Sequence, residues 1–190
     1  MSIDRLSPYK TTEKQKSFES DFLKGVEAYE VWDEVEIGVE KACSQPFKVM
    51  EEDILAYNLG VMETHPLFID RDYARTHSPT GSLLPHPLFL VEIAFYCIDQ
   101  GPTSWIRSPG ARNPGQRVEL YEHFRPGEVI TIHATCCDRW IRRGSHYLQS
   151  RLDYRNQDDT LKARWWLTLI LPANRKELMQ YLDLVPEGVQ

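Results

Sequence analysis

Residues 87–101 read PLFLVEIAFYCIDQG and predict a helix that is apolar on nearly every side. Pro87 suits the first turn of a helix, where its missing N–H needs no partner, and Gly101 suits the end of a helix. Because a helix without a polar face must be covered by other elements, we expect this one at the centre of the fold.

Four strand-like runs follow this helix. They are RVELYEHF (117–124), EVITIHATCCDRWIRR (128–143), YLQSRLDYRN (147–156) and LKARWWLTLIL (161–171). RPGE, RRGS and NQDD lie between them and contain the residues that hairpin turns use, which predicts a meander of antiparallel strands. Ile130 and Ile132 alternate with Thr131 and His133, so one face of the sheet is expected to be buried. A central apolar helix followed by such a meander predicts the α+β class and a hotdog fold, with the sheet wrapped around the helix.

The rest of the chain divides around this unit. Phe18, Phe22 and Val26 stand at helical spacing and predict a helix over residues 17–32. Further on, the sequence predicts an irregular strand over 39–49, a short helix after the acidic residues 51–53, a helical turn over 70–75 with Asp70 as its cap, and a short terminal helix. We therefore expect a polar segment and helix over 1–34, a hotdog domain over 35–172 and a tail or short helix over 173–190.

Composition and charge exclude several classes of function. The 190 residues suffice for one medium domain, and the formal net charge of −6 argues against nucleic acid or an anionic membrane as a partner. The apolar runs are shorter than the ~20 residues that span a bilayer. The polar N-terminus does not resemble a signal peptide, so we expect a cytoplasmic protein.

The cysteines do not predict a metal site or a disulfide. Cys43, Cys97, Cys136 and Cys137 form no CxxC pair, and we expect all four to be reduced packing residues. His133 approaches Cys136 and Cys137 in sequence, but side chains on one strand do not converge as a tetrahedral metal site requires. We expect neither a metal nor a cofactor.

A loop segment between the short helix and the central helix carries the candidate chemistry. It contains the run VMETHPLF (61–68), followed by Asp70, Tyr73-Ala74, Gly81 and Pro85-His86-Pro87. This segment resembles the signature of the MaoC-like hydratases, S-G-D-x-N-P-x-H with a later Asp, Tyr-Ala and A-H-G. The strands from HFRPGE to YRNQDD are similar to the same family, so the resemblance covers about residues 35 to 172.

The resemblance implies reversible addition of water to a 2-enoyl-CoA, which gives a (3R)-hydroxyacyl-CoA. That reaction needs a base for the water, an acid for C2 and donors for the developing enolate oxygen. In the family, the motif Asp and His serve as base and acid, and the backbone N–H of the later glycine serves as a donor.

This chain departs from the family pattern at all three places. Glu63 stands at the motif Asp, Phe68 at the motif His and Pro87, which has no N–H, at the oxyanion glycine. His65 stands at the motif Asn, so a relocated dyad of Glu63 and His65 is the catalytic candidate within this chain.

These departures resemble one branch of the family, the FAS1-like N-terminal dehydratase halves, which form acyl-pocket walls while a second half carries the Asp/His pair. We therefore expect a hydratase or dehydratase subunit that forms a homodimer, or a heterodimer with a second MaoC-like chain. The alternatives are a hotdog acyl-CoA thioesterase, which Pro87 at the helix start disfavours, and a non-catalytic acyl-CoA-binding or scaffold subunit.

Other residues are candidates for substrate binding. Pocket walls are expected from Phe68, His86, Pro87 and Phe89, while Arg142 and Arg143 at the RRGS turn could meet the phosphates of coenzyme A. Each also has a purely structural interpretation: His86 precedes a proline and could satisfy local hydrogen bonds, and the arginines could be a solvated hairpin tip. Trp165 and Trp166 are adjacent on a strand, so one is expected to point inward and the other outward.

Overall fold

The structure, a computed structural model, describes residues 7–98 and 104–183. Its strands are β1 (Glu40–Ala42), β2 (Phe47–Lys48), β3 (Arg112–Leu120), β4 (Val129–Arg142), β5 (Ser145–Arg155) and β6 (Leu161–Leu171). Its α-helices are α1 (Glu13–Ser17), α2 (Glu51–Gly60), α3 (Pro66–Ile69), α4 (Arg71–His77), α5 (Phe89–Cys97) and α6 (Arg175–Asp183). Three short 3₁₀ turns cover Ser7–Tyr9, Val26–Ala28 and Ser104–Arg107. None of these helices is long and apolar enough to cross a membrane.

The central helix and the wrapped sheet confirm the predicted fold. The strands form one open antiparallel sheet in the order β1-β4-β5-β6-β3, and β2 pairs with β4 beside β1. On α5, Leu90, Ile93 and Ala94 are fully buried and pack with sheet residues such as Ile132 and Leu152. The α5 helix ends at Cys97, where Ile98 is extended, so it is shorter than the predicted helix to Gly101, a residue that itself lies outside the described residues.

The composition of α5 led us to expect a helix covered on every side, but one flank of α5 is only partly covered. Val91, Glu92, Phe95 and Tyr96 are only partly buried, because the concave face of the sheet covers one side of the helix. This half-open flank of α5 lines both of the larger cavities described below.

The RRGS turn is a hairpin, as predicted. Arg142 pairs with Ser145, and the two residues between them, Arg143 and Gly144, have φ values of 50° and 75°. Positive φ at both central positions gives the backbone twist that a two-residue hairpin requires.

The hairpin predicted at RPGE is wrong. β3 pairs with β6 and lies at the opposite edge of the sheet from β1, so residues 121–128 cross the end of the sheet instead of reversing the chain. Tyr121 N–H still bonds to the carbonyl of Lys162 in β6, whereas Gly127 N–H bonds to the carbonyl of Val49, which follows β2 beside β4. β1 and β2 occupy the free edge of β4, so the open edge of β6 is where β3 can pair.

The helix predicted over 17–32 is also wrong. The α1 helix ends at Ser17, and Gly25 has a φ of 70°. One straight helix would hold its apolar residues on one face, but these side chains pack in two places. Phe22 stacks on Phe95 of α5 with centroids 6.1 Å apart, whereas Val26 is buried with Leu178 of α6 in a separate small core.

The strand predicted over 117–124 begins and ends earlier, as β3 over Arg112–Leu120, but several other local predictions are confirmed. Two short strands flank Pro46, α2 begins at Glu51, and Asp70 caps α4 by accepting the N–H groups of Asp72 and Tyr73 at 3.0 Å. All four cysteines are free thiols. Trp165 is buried and Trp166 is partly exposed, so the pair points inward and outward as expected.

Candidate functional site

The loop that follows α2 positions Glu63 through Met62, whose backbone is in the left-handed conformation. Met62 has a φ of 60°, and its side chain is 84% exposed. Met62 stands where the family motif has glycine, the residue that tolerates this conformation best. The chain therefore keeps a left-handed turn at this position although a side chain must strain to adopt it.

Glu63 is held by the backbone of its own loop. Its Oε1 accepts the N–H groups of Thr64 at 2.8 Å and His65 at 3.0 Å. These hydrogen bonds, first the one from His65 and then the one from Thr64, lower the pKa of the carboxyl, and the imidazoles of His86 and His65 lower it further. Glu63 is therefore a carboxylate near neutral pH.

His65 and His86 have the same local arrangement. His65 Nδ1 accepts the N–H of Leu67 at 3.2 Å, and His86 Nδ1 accepts the N–H of Leu88 at 3.1 Å. A neutral ring whose Nδ1 accepts a hydrogen bond carries its proton on Nε2, so each histidine can present an Nε2–H donor. Among the described residues no hydrogen bond joins either ring to the carboxylate of Glu63. The two imidazoles are close enough to lower the pKa of Glu63, but neither of them forms a hydrogen-bonded dyad with it.

Asn58 holds the loops around Glu63, His65 and His86 in place, a role that was not predicted from the sequence. Its side chain is fully buried; Nδ2 donates to the carbonyls of Phe68 at 2.7 Å and Leu84 at 2.9 Å, and Oδ1 accepts the N–H of His86 at 2.9 Å. Its own carbonyl accepts the N–H of Glu63 at 2.9 Å. The sequence did contain one indication of this role. Asn58 is a polar residue four positions after the apolar Ile54, and therefore on the same face of the helix.

The predicted pocket-wall residues have different environments. Phe68 is partly buried and its ring lies edge-on to His65, with centroids 6.1 Å apart. Pro87 lies in the turn just before α5. Phe89 is fully buried, and its ring packs against Tyr57 at 5.6 Å, so it supports the site from the core.

Arg142 and Arg143 lie away from Glu63, His65 and His86. Both are exposed at the tip of the β4–β5 hairpin. The segment Pro85–Pro87 instead faces residues 120–124, which precede the opposite end of β4. The structure does not bring the arginines together with Glu63 or the two histidines.

A cavity adjoins the polar cluster that Glu63, His65 and His86 form. It has a volume of about 340 Å³ and lies between the open flank of α5 and strands β3 and β6. Its mostly apolar walls include Tyr57, Leu88, Val91, Phe95, Trp165 and Leu169. The ring of Tyr57 lies 6.1 Å from that of His86, and its hydroxyl donates to the Leu88 carbonyl at 2.9 Å. Tyr57 therefore stands between the cavity and the polar cluster.

Glu92 is a second functional candidate that sequence reasoning missed. Burial on α5, with a further contribution from Asp53, raises the pKa of its carboxyl to about 7. The signal was visible, since Glu92 is the only charged residue in the run FLVEIAFYC. Carboxyl groups shifted in this way are concentrated at functional sites.

Metal ligation finds no support in the described part of the chain. Across residues 7–98 and 104–183, no three His, Cys, Asp or Glu side chains are grouped so that they could hold a metal ion.

Comparison with known proteins identifies the fold. No family model and no curated protein matches the chain. Solved structures do match. A MaoC-like dehydratase from Rhodospirillum rubrum has a TM-score of 0.62 at 17% identity, over 75% of this chain and 96% of its own. The HadBC (3R)-hydroxyacyl-ACP dehydratase complex of Mycobacterium tuberculosis gives a TM-score of 0.59 at 18% identity, over 70% and 96%.

A longer neighbour has the same architecture. A protein described as a MaoC domain dehydratase from Chloroflexus aurantiacus has a TM-score of 0.67 at 10% identity, over 78% of this chain and 46% of its own. At identities of 10% to 18% these likenesses establish the fold alone. The chain has the hotdog fold of the MaoC-like dehydratases.

Proposed function

We propose that this chain is a hydro-lyase subunit that adds water to a 2-enoyl thioester, or removes it from a 3-hydroxyacyl thioester, with the acyl group in the cavity beside Tyr57. The observation that carries the proposal is the junction at Tyr57 between an apolar cavity of about 340 Å³ and the cluster of Glu63, His65 and His86. An apolar pocket that ends at convergent polar groups is what such a substrate requires.

The polar cluster offers the groups for hydration. Glu63 is a carboxylate that can orient a water molecule and accept its proton as the oxygen attacks C3, and an Nε2–H of His65 or His86 can deliver a proton to C2. Glu63 and His65 remain our catalytic candidates within the chain, and His86 is placed equally well. The thioester of coenzyme A is the proposed substrate, and no cofactor is needed for this reaction.

A partner chain is part of the proposal. Glu63 already accepts two backbone N–H groups, Phe68 replaces the imidazole of the family motif, and the Leu88 N–H that follows Pro87 is bonded to His86. We infer that a second MaoC-like chain completes the site. The neighbours support this inference, since HadBC is a complex and the Chloroflexus protein is about twice as long as its matched region.

The edge strand β3 is the proposed contact with that partner. It pairs only with β6 among the described strands, so its other edge has unpaired backbone groups, and Leu120 at its end and the adjacent Tyr121 are exposed. Both a homodimer and a heterodimer can form in this way.

A crotonyl-CoA hydration assay tests the proposal, on the chain alone and after co-expression with a hydratase-like chain from a neighbouring gene. We expect low activity alone and a rise of at least ~10²-fold in the complex, the scale set by one misplaced or missing catalytic group. Glu63→Gln, His65→Ala and His86→Ala identify the groups used. Asp72→Asn on the exposed face of α4 is the matched control. Full activity of the chain alone, abolished by Glu63→Gln, would contradict the need for a partner.

One observation favours a second candidate, a non-catalytic acyl-CoA-binding subunit. The carboxylate of Glu63 acts as a cap for its own loop, which is a structural use of the catalytic position. Calorimetric binding of crotonyl-CoA without hydration or hydrolysis, with or without the partner, would select this candidate. Hydrolysis of the thioester would select the thioesterase instead.

The phosphate role of Arg142 and Arg143 is a separate proposal, and Arg142→Ala with Arg143→Ala should weaken coenzyme A binding if it is right.

A further inference from the structure

A second cavity, of about 360 Å³, lies between the N-terminal segment and α5. Tyr9 and Phe18 of the N-terminal segment and Phe95 and Tyr96 of α5 place four aromatic rings on its wall. Its volume is in the range of small-molecule sites. Phe95 also lines the cavity beside Tyr57, so the two cavities adjoin along the open flank of α5.

Glu92 is the acidic side chain on the wall of this cavity. Within residues 7–98 and 104–183 it takes part in no hydrogen bond or ion pair, although burial raises the pKa of its carboxyl to about 7. A partly buried carboxyl without a partner is unfavourable for folding. Such a group is retained most readily where a ligand pairs with it.

Of the two lysines at the cavity, Lys14 is paired with another carboxylate. Lys14 forms an ion pair with the buried Asp53, and its Nζ lies 4.9 Å from the ring centroid of Phe47. Lys10 also has an interaction of its own. Lys14 is therefore paired with Asp53, and its charge is only the smallest of the three influences on the pKa of Glu92. Among the described residues, the carboxyl of Glu92 faces the aromatic wall without an ion pair of its own.

We propose that this cavity binds a small amphipathic amine, whose ammonium group pairs with Glu92 and whose apolar body lies among Phe18, Phe95 and Tyr96. An ammonium group is attracted both to a carboxylate and to the faces of aromatic rings. The proposal does not depend on the proposed hydration of thioesters, because Glu92 lies outside the cluster of Glu63, His65 and His86. Binding can therefore be measured whether or not the chain has hydratase activity.

Calorimetric titration with three ligands of equal chain length tests the proposal: octylamine, octan-1-ol and octanoate at pH 8. Octylamine is expected to bind at least about tenfold more tightly than the other two, which corresponds to one charged hydrogen bond. Glu92→Gln keeps the shape of the side chain and removes its charge, and should weaken octylamine binding by about tenfold or more. Glu13→Gln, at a side chain that is 90% exposed, is the matched control and should change nothing.

The pH dependence provides a second readout. The titratable and charged groups that surround Glu92 are Tyr9, Lys10 and Lys14 of the N-terminal segment, Asp53 and Tyr57 of α2, and Tyr96 of α5. Octylamine stays protonated from pH 6 to pH 8, whereas a carboxyl with a pKa of about 7 loses its proton over that range. Octylamine affinity should therefore rise about tenfold from pH 6 to pH 8 in the parent chain and stay constant in Glu92→Gln.

Four outcomes would overturn the proposal. Tighter binding of octanoate would assign recognition to the lysines, and equal binding of octan-1-ol would mean that the cavity selects only apolar chains. An unchanged octylamine affinity in Glu92→Gln, in a variant whose urea midpoint shows that it is folded, would place the amine elsewhere. Absence of octylamine binding at millimolar concentration would also reject it.

Discussion

The side chain of Asn58 accepts the backbone N–H of His86 at 2.9 Å, which joins α2 to the start of α5. The two donors of the same side chain bond to the carbonyls of Phe68 and Leu84, so one residue joins three segments, namely α2, α3 and residues 84–86. Because the amide is fully buried, water cannot replace it in a variant that lacks it.

We expect Asn58→Leu to destabilise the protein by about 3 kcal/mol or more, since it leaves two carbonyls and one N–H unsatisfied at ~1–3 kcal/mol each. Urea unfolding followed by fluorescence measures this loss. Asn113→Leu, at an exposed position in β3, is the control and should stay within ~0.5 kcal/mol. Equal stability of the two variants would show that Asn58 does not fix the three segments.

Met62→Gly should stabilise the protein by roughly 0.5–1 kcal/mol. The left-handed conformation costs a side chain ~1–2 kcal/mol, and the flexibility of glycine in the unfolded chain offsets part of that gain. Leu59→Gly is the contrasting variant, because Leu59 is exposed but helical, and it should destabilise by ~1 kcal/mol. Thermal unfolding of both variants checks the difference in sign, and destabilisation by Met62→Gly would show that the turn is not strained.

Glu92 should make stability fall as pH rises from about 4.5 to 7. Its pKa is raised in the folded state, so in this window the folded protein holds a proton that the unfolded chain has already lost. Below the window both states are protonated and the penalty is absent; above it both are ionised and the penalty is complete. Glu92→Gln should therefore gain on the order of 1–3 kcal/mol over the parent at pH 8 and little at pH 4. Urea titrations at both pH values measure the gain, and an equal gain at pH 4 would contradict the assignment.

Lys162 should be among the most sensitive charged residues. It is 1% exposed and pairs with Glu122 at 3.0 Å and Glu128 at 2.8 Å. Lys162→Met leaves Glu128 partly buried without its cation, which should cost ~3–5 kcal/mol. The double variant Lys162→Met with Glu128→Gln should recover part of this loss in a double-mutant cycle, whereas the exposed Lys176→Met should be neutral. A purely additive double variant would show that the pair is not coupled.

Sequence alone predicted those features of this protein that depend on a few neighbouring residues. The apolar run of α5, the cap at Asp70 and the hairpin at Arg143-Gly144 follow from periodicity, local hydrogen bonds and turn conformation. Together with the alternation in β4, they were sufficient for the hotdog fold. Glu63 and His65 were also identified in sequence as candidates, and their catalytic roles stay predictions.

Tertiary structure decided what depends on distant segments. RPGE has the composition of a hairpin, but β3 pairs with β6 because β1 and β2 fill the edge of β4. Asn58 of α2 fixes the backbone of His86, and the pKa of Glu92 is raised because its carboxyl is buried where the N-terminal segment packs against α5, with a further contribution from Asp53. Turn and helix signals act over a few residues, whereas strand order, burial and shared hydrogen bonds depend on which surfaces are free when the chain has folded.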